Sequence, residues 1–200
     1  MKIQIVIKDI FDFLLALIGV IILAPLFLLI SLLIKIDSNG PIFFSQERLG
    51  KNGIPFNIYK FRTMVIGAEK AGDGLRVLSN NDPRITKIGN FLRKTSLDEL
   101  PQLFNVLKRE MSLVGPRPPV TYHPYDGISN YPDWAKKRFN MKPGVTGLAQ
   151  VEVRNAVSWD ERIKYDNKYI DKFSLYLDFK ILFSTLVKIV QPSSIYLGEK

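Results

Sequence analysis

The chain has 200 residues, a formal net charge of +9, no cysteine and a single histidine, His123. The cysteine and histidine counts exclude a disulfide framework, a thiolate metal centre and a His-rich metal cluster. The basic balance suits anionic partners, whether nucleic acid, phosphorylated small molecules or an anionic bilayer face, and equally suits a basic surface that is only solvated; composition does not choose between them.

From the N-terminus, Phe13 to Ile34 is a run of 22 residues without a charge. At ~1.5 Å per residue a straight helix would be roughly 33 Å long, enough to cross a bilayer core. A secretory signal peptide fits poorly, because Asp9 and Asp12 stand just before the run and no A-x-A-type site follows it. Pro25 lies inside the run, where it removes a backbone hydrogen bond. Lys2 and Lys8 precede the run and Lys35, Arg48 and Lys51 follow it, so both flanks are basic and neither crossing direction is preferred. Two readings stay open: a spanning helix, and a re-entrant helix broken near Pro25 with both ends on one face, the latter slightly ahead.

Past the membrane segment, residues 1–36, a domain over 37–200 is expected. Pro41 to Met64 reads as a β-hairpin, with Ile42, Phe43 and Phe44 on one arm, a turn at Gly50–Gly53, and Phe56, Ile58 and Phe61 on the other. Gly67 to Arg84 is polar, with Gly72, Gly74 and Pro83, and reads as a loop. Leu97 to Arg109 has helical spacing, with Leu100, Leu103, Phe104 and Leu107 on one face. Met111 to Pro124 carries four prolines and Gly115 and excludes a long helix, and Lys142 to Gly147 reads as a turn. Ser158 and Glu161 have capping-box spacing, predicting a helix to about Ile170. Phe179 to Val190 is strongly apolar around Lys180 and Lys188, suiting a core helix or an amphipathic helix in a membrane interface. The fold class expected is α+β: a compact, mostly helical domain with a short β-hairpin, preceded by a Pro-broken membrane helix.

For chemistry, there is no P-loop, no G-x-G-x-x-G, no G-x-S-x-G, no H-E-x-x-H and no D-x-D pair. What stands out is the stretch Lys94 to Phe104, which carries Asp98 and Glu99 side by side. One reading is helix capping, since Ser96 and Glu99 have capping-box spacing. Pro101 opposes it, because as the fifth helical residue it has no N–H to pair with Leu97. The other reading is catalytic. Carboxylates at a helix N-terminus are held ionised, hard oxygen ligands side by side suit Mg²⁺, and an Asp carboxylate can attack phosphorus. Such an attack needs cations around the phosphate, and Arg93, Lys94 and the Pro-flanked Arg117 are near in sequence.

At these residues the chain resembles a bacterial sugar transferase, a monotopic phosphoglycosyl transferase of the small type that includes the Campylobacter diacetylbacillosaminyl-phosphate transferase. The resemblance runs from about Lys8 to about Lys188. It is carried by Asp37–Phe44, Tyr59–Met64, Ser96–Leu100, Leu103–Leu107, Met111–Pro118, Lys142–Gly147 and Arg154–Trp159. It implies transfer of a sugar phosphate from a nucleotide diphosphate sugar, usually a UDP-sugar, to polyprenyl phosphate at the cytoplasmic face of the bacterial inner membrane, with release of UMP. It implies Asp98 as covalent nucleophile and Glu99 as Mg²⁺ ligand. Lys60, Arg93, Arg117 with Pro118, and Arg154 match family positions near the phosphates or nucleotide, and Pro25 matches the family's re-entrant break. Ala24 stands where the family often has Ser, and Val153 where it usually has Gly. The rival classes are a membrane-anchored basic binding protein without turnover and a membrane phosphatase that transfers to water. Tyr122 to Lys137 resembles the family least and is a candidate for sugar selection or acceptor contact.

Overall fold

The computed structural model describes residues 2–68, 82–153 and 157–190. Most of the loop expected over 67–84 therefore lies outside the described residues.

The apolar N-terminal run forms helix α1 (Lys2–Asp37), with Pro25 inside it and helix continuing on both sides. Two arms separated at Pro25 are thus not what is observed. One proline removes one hydrogen bond, and the rest of the helix is held in place by docking along its length. The docked residues recur at three- and four-residue spacing, the period of one helix face. Near the start, Lys8 Nζ lies 2.7 Å from Asp178 Oδ2 and 3.3 Å from Asp12 Oδ2. Ser112 Oγ donates to Asp12 at 2.5 Å, and Ala16 packs with Val106 and Met111. A Cβ added to Gly19 would meet Leu103 at 3.4 Å, so the backbone itself rests on the domain there. Further on, Phe27, Ile30 and Ile34 pack with Phe61 and Leu92. The opposite face carries exposed Phe11, Leu15, Ile18, Ile22, Leu29 and Leu32. The helix is long and apolar enough to cross a membrane by length and composition.

The expected hairpin forms. Strand β1 (Phe43–Leu49) pairs antiparallel with β2 (Pro55–Phe61), in a register running from Phe43–Phe61 to Leu49–Pro55. The turn between them is a short 3₁₀ segment in which Asn52 adopts φ 57°, a left-handed conformation that Asn tolerates. The free edge of β2 is covered by a side chain. Asn105, fully buried, accepts from Tyr59 N at 3.0 Å and donates to Asn57 O at 2.7 Å. An exposed pairing edge is thereby closed.

Helix α2 (Lys87–Thr95) is not among the expected elements. Thr86 caps it by accepting from Gly89 N at 3.0 Å. A Cβ at Gly89 would lie 2.1 Å from Thr63 O, so only glycine lets α2 approach the chain leaving β2 this closely. The single helix expected over Leu97–Arg109 is instead a 3₁₀ turn, Leu97–Glu99, followed by α3 (Gln102–Leu107). Pro101 divides them for the reason given above: it cannot donate within a continuous helix. Ser96 is left-handed (φ 58°) and makes no side-chain cap, so the capping box does not form.

A second, unexpected sheet follows. β3 (Ser112–Val114) pairs parallel with β4 (Gly144–Thr146), where a turn had been expected. Three residues per strand leave no periodicity to read. Between them lies the short helix α4 (Asp133–Lys136). Then come α5 (Leu148–Glu152), α6 (Trp159–Asp171) and α7 (Leu175–Val190). α6 begins as its sequence predicts, with Ser158 Oγ accepting from Glu161 N at 3.2 Å. α7 packs one face on the core and leaves an apolar face open. Ile181 is buried against Val114 and Tyr169, while Tyr176, Phe179, Phe183 and Leu186 on the other face are exposed.

Candidate active site

The 3₁₀ turn after α2 places Asp98 and Glu99 beside β2, which supplies Lys60. Lys60 Nζ is 2.6 Å from Glu99 Oε1 and 3.9 Å from Asp98 Oδ2. The bonds of Asn105 to β2 hold this strand on α3 and so fix where Lys60 stands.

The Gly115–Pro118 segment brings in Arg117, whose Nη2 lies 3.5 Å from the same Glu99 oxygen. Its loop is pressed onto the Lys142–Gly147 segment. A Cβ at Gly144 would lie 2.1 Å from Gly115 N, and one at Gly115 would lie 2.4 Å from Lys142 O. Beneath it, Arg138, which is 1% exposed, donates from Nη2 to Arg117 O at 2.5 Å and pairs with Asp166 at 2.8 Å. Arg93 donates from Nε to Thr63 Oγ1 at 2.8 Å and contributes to the field at Asp98.

The two adjacent carboxylates differ in character. Burial pushes the Asp98 carboxyl up to about 6, against the pull of Lys60; the like charge of Glu99 adds to the rise. Burial also acts on Glu99, but Lys60 and Arg117 outweigh it and hold this carboxyl well below the usual range. The expectation that a helix N-terminus keeps both ionised is therefore corrected. Neither stands at the start of an α-helix, and Asp98 is governed by desolvation. Glu99 is held as an anion by its cations, and Asp98 is the more basic carboxylate of the two.

The structure thus brings together Asp98, Glu99, Lys60 and Arg117, with Arg93 at the margin and Pro118 lining the same cleft. Lys94 is exposed. Arg154 lies outside the described residues. His123 packs its ring edge-on against Trp159, with centroids 5.8 Å apart, a structural role.

Sequence reasoning missed three groups. Gln102, 2% exposed, lines the cleft. The Arg138–Asp166 pair supports Arg117 from below. Arg48 also lines the cleft, donating to Pro118 O at 3.2 Å and to Gln46 Oε1 at 2.6 Å. Its guanidinium is pushed down to about 10 by burial and by the like charge of Arg117. The signal available in sequence was its position on the hairpin, one arm of which also carries Lys60.

Among the described residues, no group of three or more His, Cys, Asp or Glu could by itself hold a metal. Two adjacent carboxylates remain, a hard-oxygen set of the size Mg²⁺ uses when substrate phosphates and water complete its shell.

The model of the family described as bacterial sugar transferase matches residues 3–192. The galactosyl transferase CpsE of Streptococcus agalactiae is 47% identical over 157 residues, covering 74% of this chain and 34% of the relative. The sugar transferase EpsL of Bacillus subtilis is 38% identical over 190 residues, covering 95% of this chain and 90% of the relative. A UDP-glucose:undecaprenyl-phosphate glucose-1-phosphate transferase of Xanthomonas campestris is 41% identical over 199 residues, covering 96% and 40% respectively. The chain therefore spans about a third of the Streptococcus relative, two-fifths of the Xanthomonas one and nine-tenths of the Bacillus one.

Proposed function

The chain belongs to the bacterial sugar transferase family, and from that premise we propose that it transfers a sugar 1-phosphate from a UDP-sugar to a polyprenyl phosphate such as undecaprenyl phosphate, releasing UMP. The observation that carries this reading is Asp98, a buried carboxylate 3.9 Å from Lys60, whose neighbours Lys60, Glu99, Arg117 and Arg48 line a cation-rich cleft.

In the first step an Asp98 oxygen attacks the sugar-linked phosphorus. The phosphoanhydride bond breaks and its electron pair leaves on the phosphate of UMP. In the second step an oxygen of the lipid phosphate attacks the same phosphorus and Asp98 regains its carboxylate. Lys60 and Arg117 neutralise the phosphate that Asp98 approaches, which otherwise repels a carboxylate. Glu99 would hold Mg²⁺, which supplies charge neutralisation at the diphosphate when bound. The relatives' names point to glucose or galactose as the sugar.

The membrane reading rests on α1 and α7. Both ends of α1 are tied to one domain, Lys8 to Asp178 and Ile34 to the core around Phe61 and Leu92. That favours both ends lying on the cytoplasmic face, with the open apolar sides of α1 and α7 in the bilayer. Accessibility labelling at Met1 and Gly40 should find both cytoplasmic, and opposite sides would mean a spanning helix.

The activity test is UMP release from UDP-glucose or UDP-galactose with undecaprenyl phosphate and Mg²⁺. Asp98→Asn should abolish it, and without the lipid acceptor the wild type should carry a phosphosugar on Asp98 detectable by mass spectrometry. Turnover in the variant near the wild-type rate would sink the mechanism. Continued turnover with release of free sugar phosphate in the absence of polyprenyl phosphate would favour a phosphatase instead.

A further inference from the structure

The charged groups of the cleft stand in a row. Lys60 joins Asp98 to Glu99, at 3.9 and 2.6 Å. Glu99 meets Arg117 at 3.5 Å. Next along the chain from Arg117, the carbonyl of Pro118 accepts from Arg48 at 3.2 Å. The contacts run from Asp98 through Lys60 and Glu99 to Arg117, and Arg48 joins them at Pro118, the residue after Arg117. Arg48 therefore stands at the end of this chain of contacts remote from Asp98. Beyond it, a main-chain bridge from Arg48 to Val120 carries the chain on to Tyr122, whose side chain is exposed and acts on Arg48.

Arg48 is poorly neutralised. Among the described residues, the carboxylate acting on it is Glu99, already shared by Lys60 and Arg117. Its Nε is buried without a hydrogen-bond partner among the described residues. Two guanidiniums side by side repel each other, and an anion between or beside them relieves that cost.

We propose that Arg48 binds the nucleotide-side phosphate of the donor, so that the donor lies along the row with its sugar phosphate at Asp98 and its nucleoside toward Tyr122. This rests on the reading of Asp98 as nucleophile, and in-line displacement gives the direction. The oxygen that leaves must lie across phosphorus from the attacking Asp98 oxygen. As the anhydride bond breaks, its electron pair passes to an oxygen of the nucleotide monophosphate. Arg48 meets that charge with N–H donors already in place.

The test separates phosphate recognition from catalysis. Binding of UMP and of uridine is measured by calorimetry on the unreactive Asp98→Asn protein, alone and combined with Arg48→Met or Arg48→Lys. Arg48→Met should reduce the UMP-to-uridine affinity ratio at least tenfold. Arg48→Lys, which keeps the charge and the stem, should bind uridine as its parent does and UMP a few-fold more weakly. An unchanged ratio in both variants overturns the assignment. Because Asp98 is disabled throughout, this outcome is independent of whether Asp98 is the nucleophile. In protein with native Asp98, Arg48→Met should slow UMP release but leave unchanged the transfer of a preloaded phosphosugar to polyprenyl phosphate, a step without a nucleotide. Equal slowing of both steps also overturns the assignment.

Discussion

Two clusters of buried charge in this molecule are built on opposite plans. At the root of α1, Lys8 meets Asp178 at 2.7 Å and Asp12 at 3.3 Å. Tyr169 OH donates to Asp178 at 2.6 Å and Ser112 to Asp12 at 2.5 Å. Donors and acceptors match, and the group ties α1, β3, α6 and α7 together. In the cleft, Lys60 and Arg117 converge on one oxygen of Glu99 and Arg48 shares the lining, while beside it Asp98 has, among the described residues, its nearest cation at 3.9 Å. The first cluster is complete within the protein. The second has cations to spare and a carboxylate held at high energy, an arrangement completed by an anionic ligand. Burial alone does not distinguish an anchor from a site; the balance of partners does.

The largest expected effect tests that distinction from the site side. Asp98→Asn should lower UMP release by more than about 10³-fold, over 4 kcal/mol of barrier. It should leave the melting temperature in detergent unchanged or raised, because a buried carboxyl that resists ionisation is removed. A large loss of stability would make Asp98 structural and dissolve the contrast. From the anchor side, Lys8→Met leaves Asp12 and Asp178 facing each other without their cation. It should destabilise the fold by about 3–5 kcal/mol, read by denaturant unfolding. Turnover per folded molecule should stay near the wild-type value, since the site residues are untouched.

The same contrast explains what was legible in the sequence. The hairpin was readable because alternation and Asn-Gly are local signals, and α6 because Ser158 and Glu161 carry its cap. The parallel pairing of β3 with β4 was not readable, because it joins residues about thirty apart through strands of three. Asp98, Glu99, Lys60, Arg93 and Arg117 were found through motifs, though Asp98's burial was not: two acidic neighbours read as a polar first turn. Arg48 sits on a strand where a polar residue looks solvent-facing. Arg138 follows two lysines in a run that reads as surface, yet it is 1% exposed because Asp166, 28 positions on, neutralises it.

That Arg138–Asp166 pair lies between the two plans, and pH separates them. Arg138, Arg117 and Arg162 face Asp166, yet burial outweighs them and its carboxyl is pushed up to about 6 from an ordinary 3.8. Between those values the folded state holds a proton that the unfolded chain has released. The contribution of Asp166 is therefore fully present below about pH 4 and falls as pH rises through about 6, by about 3 kcal/mol in all. Thermal unfolding of Asp166→Asn compared with wild type should show this falling component missing from the variant. Parallel pH curves would mean that Arg138 keeps Asp166 ionised throughout, placing the pair with the matched anchor.

The smallest effect concerns what the anchor is for. It ties α1 to α7 through Lys8 and Asp178, and each helix carries an open apolar side. On α7 the two faces can be tested separately, because Ile181 is 2% exposed and Phe183 is 62% exposed. If the open face enters the bilayer, Phe183→Ser loses burial worth roughly 1–2 kcal/mol, a fall of about five- to thirtyfold in partition onto lipid vesicles. Its unfolding midpoint should be unchanged, because Phe183 is largely open on the folded domain. Ile181→Ser should do the reverse, lowering the midpoint through a buried hydroxyl and a lost core contact while the folded protein partitions as before. Equal partition of wild type and Phe183→Ser would remove α7 from the bilayer surface and leave α1 to hold the protein there alone. The anchor would then serve stability without orienting a second helix.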